Sequence, residues 1–487
     1  MNTQEFSMKK AFLQLTAVIF GMFMVILDST VVNVAMNTLT KDLHASISTM
    51  QWTITGYTLA VAAVIPLAGW MMDHFGAKKI FIISIIFFTL GSLLCSFAST
   101  PEQLIIFRVI QGLGGGMVAP IGFAMVFRIA PPDKVGALMG MIGIPMLLGP
   151  ALGPLLAGYF VEYQTWHWIF LVNVPVGIVA VLFAVKFLPH FDRKPAPKLD
   201  ILGMILAPIA FSMLAYGVSE SSKGWSEKST LLGLIVGGLA LILFVIVELS
   251  HTNPILELRV FKSPSFALGA VTTWLMQIAL FGMFLIIPLF LQTIKGFTPL
   301  ETGLVIFPQA IASGLMMPIS GKLYDKFGAR PLAIVGLAIV TGTLFTLSHL
   351  SIDSSKTFFI LCQISMGLGM GTTMMALNTH VLQSAPRELV NRVTPLTSAM
   401  QQIMVSFAVA GMISFLTSRS THYMSTIKDP ADINAKLNAM VSSFGDTFLL
   451  ASGIAIIGWL IAWTLKRPKM QKTGEGNQPN AAMMSGH

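Results

Sequence analysis

Fourteen predominantly apolar runs partition the chain, at 11 to 36, 50 to 71, 80 to 99, 104 to 127, 136 to 160, 169 to 188, 201 to 219, 230 to 250, 266 to 291, 303 to 320, 331 to 350, 357 to 381, 393 to 418 and 446 to 466. A helix crossing a bilayer needs about 20 such residues, so each run predicts one membrane span, separated from the next by a short polar segment. The fold class expected is an all-α polytopic membrane protein with 14 transmembrane helices. The first run carries Asp28 and is not followed by a small-residue cleavage pattern, so it is expected to remain as a helix.

Lys and Arg fix the expected orientation. With the N-terminus inside, 21 of the 30 fall on the cytoplasmic side, eight on the opposite side, and Arg108 within a span. This bias predicts that both termini are cytoplasmic.

Composition agrees with a bilayer and closes off other classes. The chain is 54% hydrophobic and 10% charged, with a mean hydropathy of +0.77, far from the roughly one-quarter charged content of a soluble protein. The net charge of +9 is accounted for by the loop bias, so no nucleic-acid partner is expected. Cys95 and Cys362 sit inside apolar runs as packing residues, and nine scattered histidines form no metal-ligand spacing, so no metal is expected.

The chain also repeats itself. Gly69-Trp-Met-Met-Asp73-His74-Phe75-Gly76-Ala77-Lys78 recurs at an offset of 252 as Gly321-Lys-Leu-Tyr-Asp325-Lys326-Phe327-Gly328-Ala329-Arg330, each copy expected in a cytoplasmic loop. Eight spans lie within that interval. A six-helix unit with two helices inserted between its copies keeps both loops on one side. The expected divisions are an N-terminal six-helix half (1–188), a linker with two inserted helices (189–250), a C-terminal six-helix half (251–466) and a polar cytoplasmic tail (467–487). A second echo pairs Gly112-Leu-Gly114-Gly115-Gly116 with Gly367-Leu-Gly369-Met-Gly371. Both lie inside continuous apolar segments, which suits close helix packing rather than a phosphate-binding turn.

Several motifs in order resemble those of the major facilitator superfamily, in its fourteen-helix drug/proton antiporter branch of multidrug efflux type. They are Leu27-Asp28-Ser29-Thr30-Val31-Val32-Asn33-Val34-Ala35, Gly69 to Lys79, Arg108-Val-Ile-Gln111-Gly112, Gly149-Pro150-Ala-Leu-Gly153-Pro154, and Trp166-His167-Trp168-Ile169-Phe170-Leu-Val-Asn173-Val-Pro175-Val-Gly177. His74, Pro154 and His167 depart from the usual residues; the two histidines could tune pH dependence. The resemblance implies a multi-pass protein of the bacterial plasma membrane. It would export amphipathic, cationic compounds against protons by alternating access, with the proton gradient as energy source and no cofactor. Export of a lipid or endogenous metabolite is the alternative within transport. A membrane-embedded enzyme would need a converging nucleophile and base, which the sparse ionisable inventory does not offer.

Asp28 and Arg108 are the expected proton-coupling pair, because a carboxylate inside hydrocarbon persists only where it pairs, titrates or faces a cavity. Both fall in the outer half of their spans at similar depth, and movement of Arg108 away from Asp28 would favour protonation of the acid. Gln14, Gly21, Asp28 and Ala35 recur every seven residues, a stripe expected to face the bundle. Asp28, Gln277 and Gln309 are candidate contacts of a substrate cavity whose walls draw on 31 Met and 34 Phe. Gly69, Asp73, Gly76, Lys78 and Lys79, with Gly321, Asp325, Gly328 and Arg330, are the expected conformational latch, its glycines making turns and Asp325 contributing no more than Asp73. Gly149, Pro150, Gly153 and Pro154 form the expected antiporter motif, a ridge where the halves meet.

Overall fold

A computed structural model describes residues 8–131, 133–189, 200–221, 224–252, 254–427, 429 and 432–466. The tail expected at 467–487 and most of the linker after 189 lie outside them. In chain order the helices are α1 (Met8–Asp42), α2 (Ile47–Val64), α3 (Ala68–Phe75), α4 (Ala77–Ser96), α5 (Pro101–Ile129), α6 (Val135–Tyr163), α7 (His167–Leu171), α8 (Asn173–Phe187), α9 (Ile201–Glu220), α10 (Lys228–Ser250), α11 (Pro264–Thr293), α12 (Pro299–Phe327), α13 (Ala329–Ser348), α14 (Lys356–Gln383), α15 (Val390–Ser425) and α16 (Ile433–Ala462). Among the described residues, thirteen helices are long and apolar enough to cross a membrane. The remaining sequence run, 136 to 160, falls on α6, continuous over 29 residues.

Local chemistry sets the ends of these helices. Thr100 caps α5 by accepting from the Gln103 amide, with Pro101 in the first turn where no N–H is needed. Thr298 and Glu301 form a reciprocal capping box on α12. Pro66 begins a single 3₁₀ turn, Ile65–Leu67, between α2 and α3, so the second span is one broken helix running on to Phe75.

The motif copies differ here from the loops expected for them. Residues 69–75 are helix α3 and residues 321–327 are the last turns of α12. Only Gly76 and Gly328 turn the chain, at φ 90° and 80°, a backbone region that disfavours a side chain. The turn signal in Gly69 and Gly321 misled because a helical glycine can serve instead to let another backbone approach.

The glycine echo has the same geometry in both copies. Gly112 and Gly116 of α5 abut the backbone of α2 at Tyr57 and Val61, while Gly114 abuts α4 at Ser84 and Phe88. In α14, Gly367 and Gly371 abut α12 at Gln309 and Ser313, and Gly369 abuts Gly336 of α13. Each is a close helix crossing inside an apolar bundle, the role expected of small residues in spans.

Helices α9 and α10 form an antiparallel hairpin closed by Gly217 against Gly233. Tyr216 on α9 stacks on Trp52 of α2 with ring centroids 6.2 Å apart, and Trp225, beyond α9, donates to Ser414 of α15 at 2.8 Å. The pair therefore touches helices from both sides of the insertion. Its other face is apolar and exposed at Leu232, Ile235, Leu239, Ile242 and Ile246, which suits contact with lipid.

Candidate functional site

Asp28 is fully buried, and its carboxylate collects donors from two other helices. Arg108 Nη1 donates to Oδ2 at 2.5 Å, and Gln111 Nε2 and Asn173 Nδ2 each donate to Oδ1 at 2.9 Å. Arg108 is held in turn by Gln111 Oε1 at 2.7 Å and the Thr53 carbonyl at 3.2 Å, with its guanidinium 4.1 Å from the centroid of the Tyr57 ring. Ser92 accepts from Gln111 and Asn173 and donates to the Phe170 carbonyl at 3.0 Å, which completes the chain of bonds. Three N–H donors therefore meet the carboxylate, two on Oδ1 and one on Oδ2. A buried charge pair is stable only when its remaining lone pairs and protons are satisfied, and this network supplies them.

The heptad stripe lies inside, with Gln14, Gly21, Asp28 and Ala35 all buried. The antiporter-motif glycines pack directly behind Asp28. A Cβ on Gly149 would stand 2.6 Å from Ile26 Cγ2, and one on Gly153 would stand 2.9 Å from Thr30 Cβ. Gly149 and Gly153 therefore seat α6 on α1 rather than on α12. The glycines of α6 that meet the second set of helices, α11 to α16 (the first set being α1 to α8), are Gly136, Gly140 and Gly143, against Gly321 and Met317 of α12. The side chains of Pro150 and Pro154 lie outside the described residues.

Gln309 and Gln363 pair across α12 and α14 at 2.9 Å, and Gln309 also reaches the Met370 sulfur at 3.1 Å. Together with Leu280, Phe284, Ile287 and Met366 they line a small, partly open cleft. Gln277 is buried on α11, and its Oε1 has no hydrogen-bond partner among the described residues. Asp28, Gln277 and Gln309 are not brought into one polar network: the acid is sealed among the helices of the first set, and the glutamines belong to the second.

Both motif aspartates cross between the two sets. Asp325 accepts from the backbone amides of Gly136 and Ala137, in the first turn of α6, at 2.8 and 2.9 Å. Asp73 accepts from Asn391 Nδ2 at 2.6 Å near the start of α15, with Arg392 Nε 3.8 Å away. The leading glycines support these contacts: a Cβ on Gly69 would lie 2.5 Å from the Asn391 carbonyl oxygen, and one on Gly136 2.5 Å from that of Gly321. Three of the motif cations have other surroundings. Lys78 donates to the Val185 and Leu188 carbonyls at the end of α8, Lys79 is exposed, and Arg330 lies over the Trp463 ring at 6.0 Å.

Sequence reasoning did not single out Asn173, Ser92 or Thr53. Asn173 stood inside a quoted motif and Ser92 was a polar residue in an apolar run, so each carried a signal. Thr53 contributes only its carbonyl, which no side-chain pattern reveals.

Residues 18–409 match the family profile described as Major Facilitator Superfamily. The chain is 33% identical over 459 residues to the lincomycin resistance protein LmrB of Bacillus subtilis, covering 94% of this chain and 95% of that one. It is 37% identical over 400 residues to a multidrug resistance protein B homolog of Mycobacterium tuberculosis, covering 81% and 74%. It is similar, at 34% identity over 408 residues, to the putative multidrug resistance protein MdtD of Salmonella typhi, covering 82% and 86%. The solved proton:xylose symporter XylE shares its fold, with a TM-score of 0.65 at 14% identity over 94% of this chain and 96% of the other.

Proposed function

The chain belongs to the major facilitator superfamily, a family of transporters and not of enzymes, and from that premise we propose that it is a proton-coupled efflux protein for amphipathic, cationic compounds. The topology proposed has fourteen spans with both termini cytoplasmic, two six-helix halves at 1–188 and 251–466, and an inserted segment at 189–250. The relatives, named for lincomycin and multidrug resistance, support small drug-like substrates and a bacterial cytoplasmic membrane.

One observation carries the coupling: Asp28 is buried and held by Arg108, Gln111 and Asn173. A proton arriving at Asp28 must displace the guanidinium, and charge release of that size can drive a rearrangement of α1 against α5. Asp73 and Asp325 close the cytoplasmic end in this conformation, so the coupling acid is paired with Arg108 while that gate is shut.

The test is Asp28→Asn in proteoliposomes with an imposed pH gradient. The amide cannot exchange a proton, and export driven by the gradient should be abolished while the protein remains inserted with parental detergent stability. Undiminished gradient-driven export would move the coupling role elsewhere. A second reading, export of an uncharged lipid or endogenous metabolite, draws on the amide-lined cleft of Gln309 and Gln363. Comparing uptake of matched cationic and neutral probes separates the two.

A further inference from the structure

The foot of the inserted hairpin holds three buried carboxyl groups that the transport reading does not use. Asp200 precedes α9, Glu248 lies in the last turn of α10, and Glu257 sits on the segment leading to α11; they are 4%, 1% and 6% exposed. Asp200 Oδ1 accepts from the Gly203 amide at 2.8 Å as the cap of α9, and Glu248 Oε2 accepts from the Leu256 amide at 3.3 Å. Among the described residues, Asp200 Oδ2, Glu248 Oε1 and Glu257 Oε1 have no hydrogen-bond partner.

Two of these unpartnered atoms converge. The position a Cβ would take on Gly203 lies 2.6 Å from Asp200 Oδ2 and 2.6 Å from Glu248 Oε1. The two oxygens are therefore no more than 5.2 Å apart (2.6 plus 2.6 Å), and two ionised carboxylates buried at that separation repel each other. One proton between them satisfies both unpartnered oxygens at once. The helix ends decide which group keeps it. Asp200 stands at the positive N-terminus of α9, which favours its charge, whereas Glu248 stands at the negative C-terminus of α10, which opposes one.

We propose that Glu248 is a proton-binding site, donating its carboxyl hydrogen to Asp200 so that a carboxyl–carboxylate bond clasps the foot of the inserted hairpin. The clasp also holds the connection to α11, because the other oxygen of Glu248 anchors the Leu256 amide. The charged and titratable groups around it are Asp200, Glu257, His251 and Arg259, and Arg259 is engaged with the Leu249 and His251 carbonyls at 3.2 and 2.7 Å. No three His, Cys, Asp or Glu side chains among the described residues are arranged to hold a metal ion.

The experiment compares the purified full chain with Glu248→Gln and Glu248→Ala. Glutamine keeps the shape and supplies a donor toward Asp200, so its melting temperature should stay within a few degrees of the parent near neutrality, while alanine should lower it clearly. The sign follows from where the proton sits: stability that needs a protonated carboxyl is present at low pH and lost as pH rises. The parent should therefore lose stability, by more than Glu248→Gln does, as pH rises from about 4.3, the ordinary glutamate value, into the mildly alkaline range, the difference isolating this group from ordinary histidines. Infrared difference spectra at neutral pH should show a carboxylic C=O band that disappears in Glu248→Gln. Absence of that band, or a Glu248→Gln variant as unstable as Glu248→Ala at every pH, would overturn the assignment. So would stability that follows sodium or calcium concentration instead of pH. None of these readouts depends on transport, so failure here leaves the efflux reading standing.

Discussion

Removing Asp325 should open the motif end of the protein more than removing Asp73 does. Asp325 accepts two helix-terminal amides at 2.8 and 2.9 Å. Hydrogen bonds to a charged group contribute roughly 1.5 to 3 kcal/mol each, and a carboxylate at a helix N-terminus adds about 0.3 to 1 kcal/mol. Water recovers part of this when the gate opens, so about 3 kcal/mol, the low end for two bonds, is the fair figure. That corresponds to a change of about a hundredfold in the closed-to-open ratio for Asp325→Ala. Asp73 makes one amide bond at 2.6 Å, and its approach to Arg392 is long, at 3.8 Å and with the arginine part exposed. One charged bond plus a pair of that kind is about 1.5 to 2 kcal/mol, or roughly ten- to thirtyfold. The assay is double electron–electron resonance between spin labels at exposed Lys79 and Arg330, which sit on α4 and α13. A longer distance population should grow in both variants and more in Asp325→Ala. An unchanged distribution in folded Asp325→Ala would refute the latch, and a larger effect at Asp73 would refute the bond-by-bond reasoning.

Two other substitutions probe the crossings of α6. Gly136→Val places a side chain against the Gly321 backbone, which cannot yield, so overpacking of about 1 to 3 kcal/mol should shift the same label distances in the same direction as Asp325→Ala; Gly158→Ala, with nothing within 4 Å of the new methyl, is the control and should leave them unchanged. Gly153→Ala pushes on Thr30, two residues from Asp28, and should slow gradient-driven export at least severalfold with little change in the label distances; parental rates would show that the contact with α1 is slack.

The spans were legible because a bilayer demands about 20 apolar residues in a row, a constraint too coarse to hide. The two motif copies were legible because the same task recurs at Gly69 and Asp73 and again at Gly321 and Asp325. Their role was harder to read. Glycine beside aspartate suggests a turn, yet here the glycines are helical and the aspartates bind the opposite set of helices, which only the tertiary pairing of α3 with α15 and α12 with α6 reveals. Asp28 and Arg108 stood out as ions in hydrocarbon, whereas Asn173 and Ser92 depend on helix rotation, which local pattern does not define in spans that are apolar all round. Asp200 and Glu248 were hidden for the opposite reason: at helix ends a carboxylate looks solvated, and burial comes only from the fold.

The position of α6 ties these separate observations together. Its first turn supplies the amides that Asp325 holds, its next two turns carry Gly140 and Gly143 against Met317 of α12, and Gly149 and Gly153 then press on Ile26 and Thr30, on either side of Asp28. One uninterrupted helix therefore spans from the gate contact to the backbone that positions the buried acid. Pro145 lies between the two glycine groups and can bend the helix, so movement at Gly136 and Gly321 reaches the surface under that turn of α1 through this turn of α6. The small residues make the link close at both ends, and substituting a bulky residue at either end separates what the helix joins. The amides that Asp325 holds and the Gly149 and Gly153 contacts thus lie on one helix, whose glycines fall in two groups facing different helices and not in one continuous ridge.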